Sequence, residues 1–175
     1  MKRLAAQLFF MGMWSASAMT FVHSGALNSK AELDLVKAKI QAGAQPWKGE
    51  FDSLKNSREA RRSPHGRVKI NSGNHDASAS REDAIAAYSQ ALLWYYSGDA
   101  IYARRAMAIL NSWAQLQAFT AGSDLDRLQA GWVGAVLAPA AEIMRGYPGW
   151  TASEIGNLQA MFKRAFYPQL KNERD

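Results

Sequence analysis

Residues 83–113, DAIAAYSQALLWYYSGDAIYARRAMAILNSW, decide the fold. Ile85, Tyr88, Ala91, Leu92 and Tyr95 recur at helical spacing and predict one amphipathic helix. Tyr102, Ala106, Ile109, Leu110 and Trp113 predict a second. Gly98-Asp99 leaves so short a connection that the two must be antiparallel neighbours. Ser80-Arg81-Glu82-Asp83 resembles an N-terminal cap for this hairpin, so Asp83 is expected to cap and Asp99 to sit in the turn. Tyr and Trp occupy intervals where an ordinary hairpin carries Leu.

More helices flank the hairpin. Ser29-Lys30-Ala31-Glu32 reads as a capping box, and Leu33, Val36 and Ile40 form the stripe behind it, ending near Gly43. Pro46 suits a first helical turn, with Trp47, Phe51 and Leu54 following. Beyond a polar connection from Ala118 to Asp126, Leu128, Trp132, Val136 and Leu137 predict another helix. Pro139 removes a backbone donor there, so a kink or two helical pieces are expected. Gly146-Tyr147-Pro148-Gly149 stops it. Thr151-Ala152-Ser153-Glu154 is a second capping box, with Ile155, Leu158, Phe162, Ala165 and Phe166 behind. No strand signal competes, so the class is all-α.

Asn56 to Glu82 differs. It is rich in Ser, Arg, Asn and Gly and lacks apolar periodicity, so it reads as a long loop of the kind that forms lids or binding loops. Arg58, Arg61, Arg62, His65, Arg67, Lys69 and Arg81 crowd it with positive charge. The plain alternative is a solvated basic loop.

At the N-terminus, Met1-Lys2-Arg3 precedes a mostly apolar run, Leu4 to Trp14, and Ala16-Ser17-Ala18 follows at cleavage spacing. This predicts a secretory signal peptide over residues 1–18, with residues 19–175 as the mature domain. The run is too short for stable membrane insertion. The 175 residues carry a formal net charge of +6, and removal of Lys2 and Arg3 lowers it by two, to +4. A basic exported protein suits an anionic polymer or surface, and export argues against nucleic acid. The location expected is periplasmic or secreted. With no Cys, stability must come from packing.

The chemistry searched for is sparse. His23, His65 and His75 are scattered, which argues against a metal, and no cofactor-binding motif appears. Asp83, Asp99 and Glu142 qualify as paired-carboxylate candidates by type only. Asn74-His75 suggests carboxylate binding and proton abstraction, but reads better as two polar loop residues. The aromatic residues are core by default, with one or two left to line a groove where a ring can stack on a sugar.

The ordered series carries more weight than any single motif. Asp83-Ala84, Ala87-Tyr88, Ala91-Leu92-Leu93-Trp94-Tyr95, Ser97-Gly98-Asp99, Tyr102-Ala103, Ala106 and Ile109-Leu110-Asn111-Ser112-Trp113 resemble the alginate lyase superfamily of secreted polysaccharide lyases. So do Leu128-Gln129-Ala130-Gly131-Trp132-Val133-Gly134, Ala140-Ala141-Glu142-Ile143, Gly149-Trp150 and Tyr167-Pro168-Gln169-Leu170. Phe21-Val22-His23-Ser24-Gly25 is similar to the family's His-Pro-Gly start, with Ser24 in place of Pro. The resemblance runs from about Phe21 to Leu170. It implies helical hairpins curled into an incomplete (α/α) toroid and β-elimination of an anionic uronate polymer such as alginate. In that reaction the sugar carboxylate is neutralised, a base takes the C5 proton, and a Tyr commonly protonates O4.

The family's Asn-rich motif, Asn-Asn-His or Asn-Gly-Asn-Trp, follows the Tyr-Pro exit, and the sequence stops at Asp175 before it. No catalytic residue is therefore assigned, and the chain reads as the N-terminal portion of a lyase domain, weakly active or inactive alone. For substrate binding the candidates are Arg61, Arg62 and Lys69 in the basic loop and Gln129 and Trp132 at the groove. A partial toroid leaves apolar faces uncovered and predicts self-association. Two other functions compete: a non-catalytic carbohydrate-binding remnant, and a helical-repeat scaffold of the tetratricopeptide kind. Trp94, Gly98, Tyr102, Ala103 and Ala106 loosely echo that repeat, but its pattern does not return at about 34 residues.

Overall fold

The computed structural model describes residues 25–171. The expected signal peptide, the His23 region and the last residues of the charged tail lie outside them.

Helices dominate in chain order: α1 (Lys30–Gln41), α2 (Trp47–Asn56), α3 (His75–Ser97), α4 (Ala100–Trp113), α5 (Asp124–Met144) and α6 (Ala152–Met161). A π-helical turn, Phe162–Phe166, leads from α6 into a short α7 (Tyr167–Leu170). Both capping boxes form, Ser29 with Glu32 and Thr151 with Glu154. Gly98 closes α3 at φ 75°, a left-handed geometry that favours glycine, and Asp99 caps α4 through the Ile101 amide. The hairpin α3–α4 is as the sequence predicts.

Four two-residue strands depart from the all-helical expectation. β1 (Gly25–Ala26) and β2 (Asn28–Ser29) form an antiparallel turn. β3 (Lys69–Ile70) lies parallel to β4 (Ala118–Phe119). They carry little apolar alternation because each is only long enough to pin one connection to another.

α3 is the central helix and packs chiefly against α5 and α4. Small residues make this possible. Ala84, Ala86, Ala87 and Ala91 of α3, Ala103 and Ala106 of α4, and Ala130 and Ala140 of α5 are all essentially fully buried. Large side chains fill the margins: Leu110 and Trp113 from α4, Leu137 and Met144 from α5, and Met161 and Phe166 beyond. The core stripes therefore differ from those expected. Ile85 and Leu128 point outward, because alanine lets the helices approach closely and leaves no room for larger groups at those contacts.

Two boundaries also differ. α3 begins at His75, so the stretch His75–Glu82 expected as loop is helix, capped by Asn74 through the Asp76 amide. α5 runs as one helix through a buried Pro139 rather than as two pieces. Burial against its neighbours outweighs the one missing ladder bond. The described residues form a mostly all-α array of helical hairpins of the (α/α) toroid type.

Candidate functional site: the Arg81–Trp132 shelf and the basic loop

The loop between α2 and α3 is fastened along its length. A 3₁₀ turn, Glu59–Arg61, starts it. Gln90, fully buried on α3, donates through Nε2 to the carbonyls of Glu59 (2.7 Å) and Arg62 (3.1 Å), and Arg105 donates to the Ala60 carbonyl at 2.9 Å. Further on, Gln117 and Thr120 donate their amides to the carbonyls of Val68 and Ile70. Ser72 donates to the buried Asp126 of α5 at 2.5 Å.

The strongest fastening is Asp83. Its carboxylate is 0% exposed. It accepts from Arg62 Nε at 2.6 Å, the His65 amide at 2.6 Å and Trp113 Nε1 at 2.9 Å, and His65 Nδ1 stands 3.2 Å away. Arg62 also donates to Glu82 at 2.6 Å. A buried carboxylate needs such company, because an unpaired charge in the interior is heavily penalised. Next to it the loop presses so closely on α4 that a Cβ on Gly66 would meet the Ser112 carbonyl oxygen at 2.3 Å. Only glycine fits there.

On another face of α3 the polar groups are more open. Arg81 donates from Nη1 to Gln129 Oε1 at 2.6 Å, and its guanidinium carbon lies 5.5 Å from the centroid of the Trp132 ring. Gln129 is buried and held from behind, since its Nε2 donates to the Ala77 carbonyl and Ser80 Oγ, both at 2.7 Å. Trp132 is 53% exposed, with Leu125 and Leu128 exposed beside it. A shallow depression of roughly 830 Å³ lies against them, lined also by Ser123, Asp124 and Arg127. The arrangement is a flat aromatic ring, a cation over it and a buried amide that fixes the cation. It provides stacking for an apolar sugar face and a charge for an anionic substituent.

A family model described as alginate lyase matches residues 28–174. The chain belongs to the alginate lyase family. No curated protein and no solved structure gives a match.

Within this lyase-family domain the five sequence-predicted binding residues fall in different settings. Gln129 and Trp132 come together, joined by Arg81. Arg61 is exposed at the end of the 3₁₀ turn, and Lys69 is exposed on β3. Arg62 is only 19% exposed and committed to Glu82 and Asp83. Among the carboxylates, Asp83 is this buried hub rather than a cap, and Asp99 is the cap of α4.

Sequence reasoning placed Arg81 among the loop charges and so missed it as the partner of Trp132. The available signal was helical phase: once α3 starts at His75, Arg81 lies on its second turn, beside α5. Burial raises the Tyr96 phenol to about 12, so it is neutral at ordinary pH. Among the described residues no group of three or more His, Cys, Asp or Glu gathers as a metal site, and no helix is long and apolar enough to cross a membrane.

Proposed function

We propose that this alginate lyase family protein is exported to the periplasm or beyond and acts on an anionic uronate polymer such as alginate by β-elimination. The observation that carries the reading is the shelf: Arg81, held by the buried amide of Gln129, lies over one face of the exposed Trp132 ring. A uronate residue has an apolar ring face to stack and a carboxylate to pair, and the shelf offers a partner for each. Arg61 and Lys69, both exposed, extend the positive field and draw in a polyanion.

The chemistry of β-elimination fits this division of labour. The C5 proton is weakly acidic, so charge placed at the sugar carboxylate contributes most to lowering the barrier. Arg81 supplies such a charge at the shelf. Its guanidinium is held in advance by the hydrogen bond to Gln129, which reduces the ordering needed on binding. The amino-terminal residues 1–18, with their basic start, apolar run and small-residue cleavage pattern, support export.

The test is to incubate the purified protein with alginate and other polyuronates while following the ultraviolet absorbance of the unsaturated product. A rise that Trp132→Ala or Arg81→Ala diminishes supports the proposal. Calorimetric binding without a rise removes turnover and leaves a carbohydrate-binding protein. Neither signal removes the uronate reading altogether.

A further inference from the structure

A second cleft, of roughly 610 Å³, opens at the other end of α5. It is bounded by the first turns of α1, the last turn of α3, the C-terminal turn of α5 and Ile155 of α6. Trp132 and Arg145 are separated along the α5 axis by about 20 Å at the helical rise, so one side chain cannot serve both places.

Its lining is mixed in a specific way. Lys30, Lys37 and Arg145 bring three cations, and Asp34 and Glu142 two carboxylates. Asp34 accepts from Lys30 Nζ and from the Tyr95 hydroxyl, each at 2.5 Å, which fixes all three groups. These two donors hold the Asp34 carboxyl below the usual carboxylate range, Lys30 first. Lys37 Nζ stands 5.4 Å over the Tyr95 ring, and Trp94 meets Tyr95 edge to face at 6.4 Å. Among the described residues the Arg145 guanidinium has no hydrogen bond or ion pair.

The charges decide the ligand class. A bare anion such as phosphate would meet two carboxylates as well as the cations. An apolar ligand would desolvate five charged groups without replacing their hydration. A saccharide carrying a carboxylate suits both kinds of group: its hydroxyls donate to the remaining lone pairs of Asp34, its carboxylate accepts from Lys37 and Arg145, and a ring face rests on the aromatic wall. The volume suits a short oligomer rather than a polymer end threaded through a tunnel. We propose that this cleft binds a short acidic saccharide, at a site separate from the Trp132 shelf. The uronate reading enters only in the choice of probe.

The experiment is a titration of the isotope-labelled full chain with an alginate trisaccharide, followed by amide chemical shifts. Saturable shifts at Gly98 and Gly146 are expected. Lys37→Ala/Arg145→Ala should weaken them by about tenfold, roughly 1.4 kcal/mol, with an unchanged circular dichroism spectrum. Lys37→Ala alone serves if the double variant loses helicity. A neutral trisaccharide of equal size should leave both amides in place.

Unmoved Gly98 and Gly146 amides, or shifts indifferent to the substitutions, overturn the cleft. Equal binding of the neutral sugar overturns the acidic class. The Trp132 indole and the Leu128 amide report the shelf independently. Shelf shifts without cleft shifts defeat this inference alone, and cleft shifts without shelf shifts defeat the shelf alone.

Discussion

Arg81 and Asp83 stand two residues apart on α3 and have opposite fates. Successive helical residues turn by about 100°, so this spacing sends the two side chains to different sides of the helix. Asp83 is sealed, with its oxygens taken by Arg62, His65 and Trp113. Arg81 is partly open, anchored by one buried amide and lying over an exposed ring. Charge alone does not distinguish them. What separates a fastening from a binding group is whether solvent still reaches it: Asp83 is fully buried, whereas Arg81 is half-buried beside an exposed ring. By that criterion Asp83 holds the basic loop in place and Arg81 is left to meet a ligand.

Substitutions break this comparison most severely on the sealed side. Asp83→Ala leaves Arg62 and the Trp113 indole without their acceptor. It should destabilise the protein by roughly 3 kcal/mol, lowering the melting temperature by about 10 °C. Melting within about 2 °C of the parent would show that the hub is not a structural anchor.

Gly66→Ala tests the same fastening by steric means. Its new methyl meets the Ser112 carbonyl, so a loss of about 1–3 kcal/mol is expected, with faster hydrogen exchange from His65 to Ile70. Exchange protection equal to the parent would mean the loop has other means of holding that approach.

Arg62→Ala and Arg61→Ala sharpen the contrast within the loop. The first should lower stability through Asp83 and Glu82. The second should leave melting unchanged and flatten the salt dependence of polyuronate binding, since Arg61 is exposed. The reverse pattern would exchange their roles.

The smallest effect concerns pH. Burial raises the Tyr96 phenol from 10.0 to about 12 in the folded chain. The neutral form is therefore favoured by folding. Its contribution is full below pH 10 and is lost as pH rises through about 12. Tyr96→Phe should flatten the alkaline limb of a stability-against-pH curve in that window. An unaltered limb would assign the loss to other groups.

Local order was legible in the sequence and distant partnership was not. The capping boxes at Ser29 and Thr151 and the turn at Gly98-Asp99 depend on residues within a few positions, and all three form. The start of α3 was obscured because Ser80-Arg81-Glu82-Asp83 imitates a cap inside an alanine-rich helix. Alanine packs by closeness rather than by bulk, so the true stripe lacks the large apolar residues that periodicity relies on. Asp83 draws its partners from 18 to 30 residues away, and Arg81 meets Gln129 across 48. No spacing rule reaches that far. The ordered series of short matches did reach the family, because it samples many local features together.

The central claim is that the open side of α3 binds sugar while the sealed side maintains the fold. Calorimetric titration of Trp132→Ala with an alginate oligomer tests it most directly, because Trp132 is exposed and its loss leaves the core intact. The account predicts about tenfold weaker binding at an unchanged melting temperature. Affinity equal to the parent protein would contradict it.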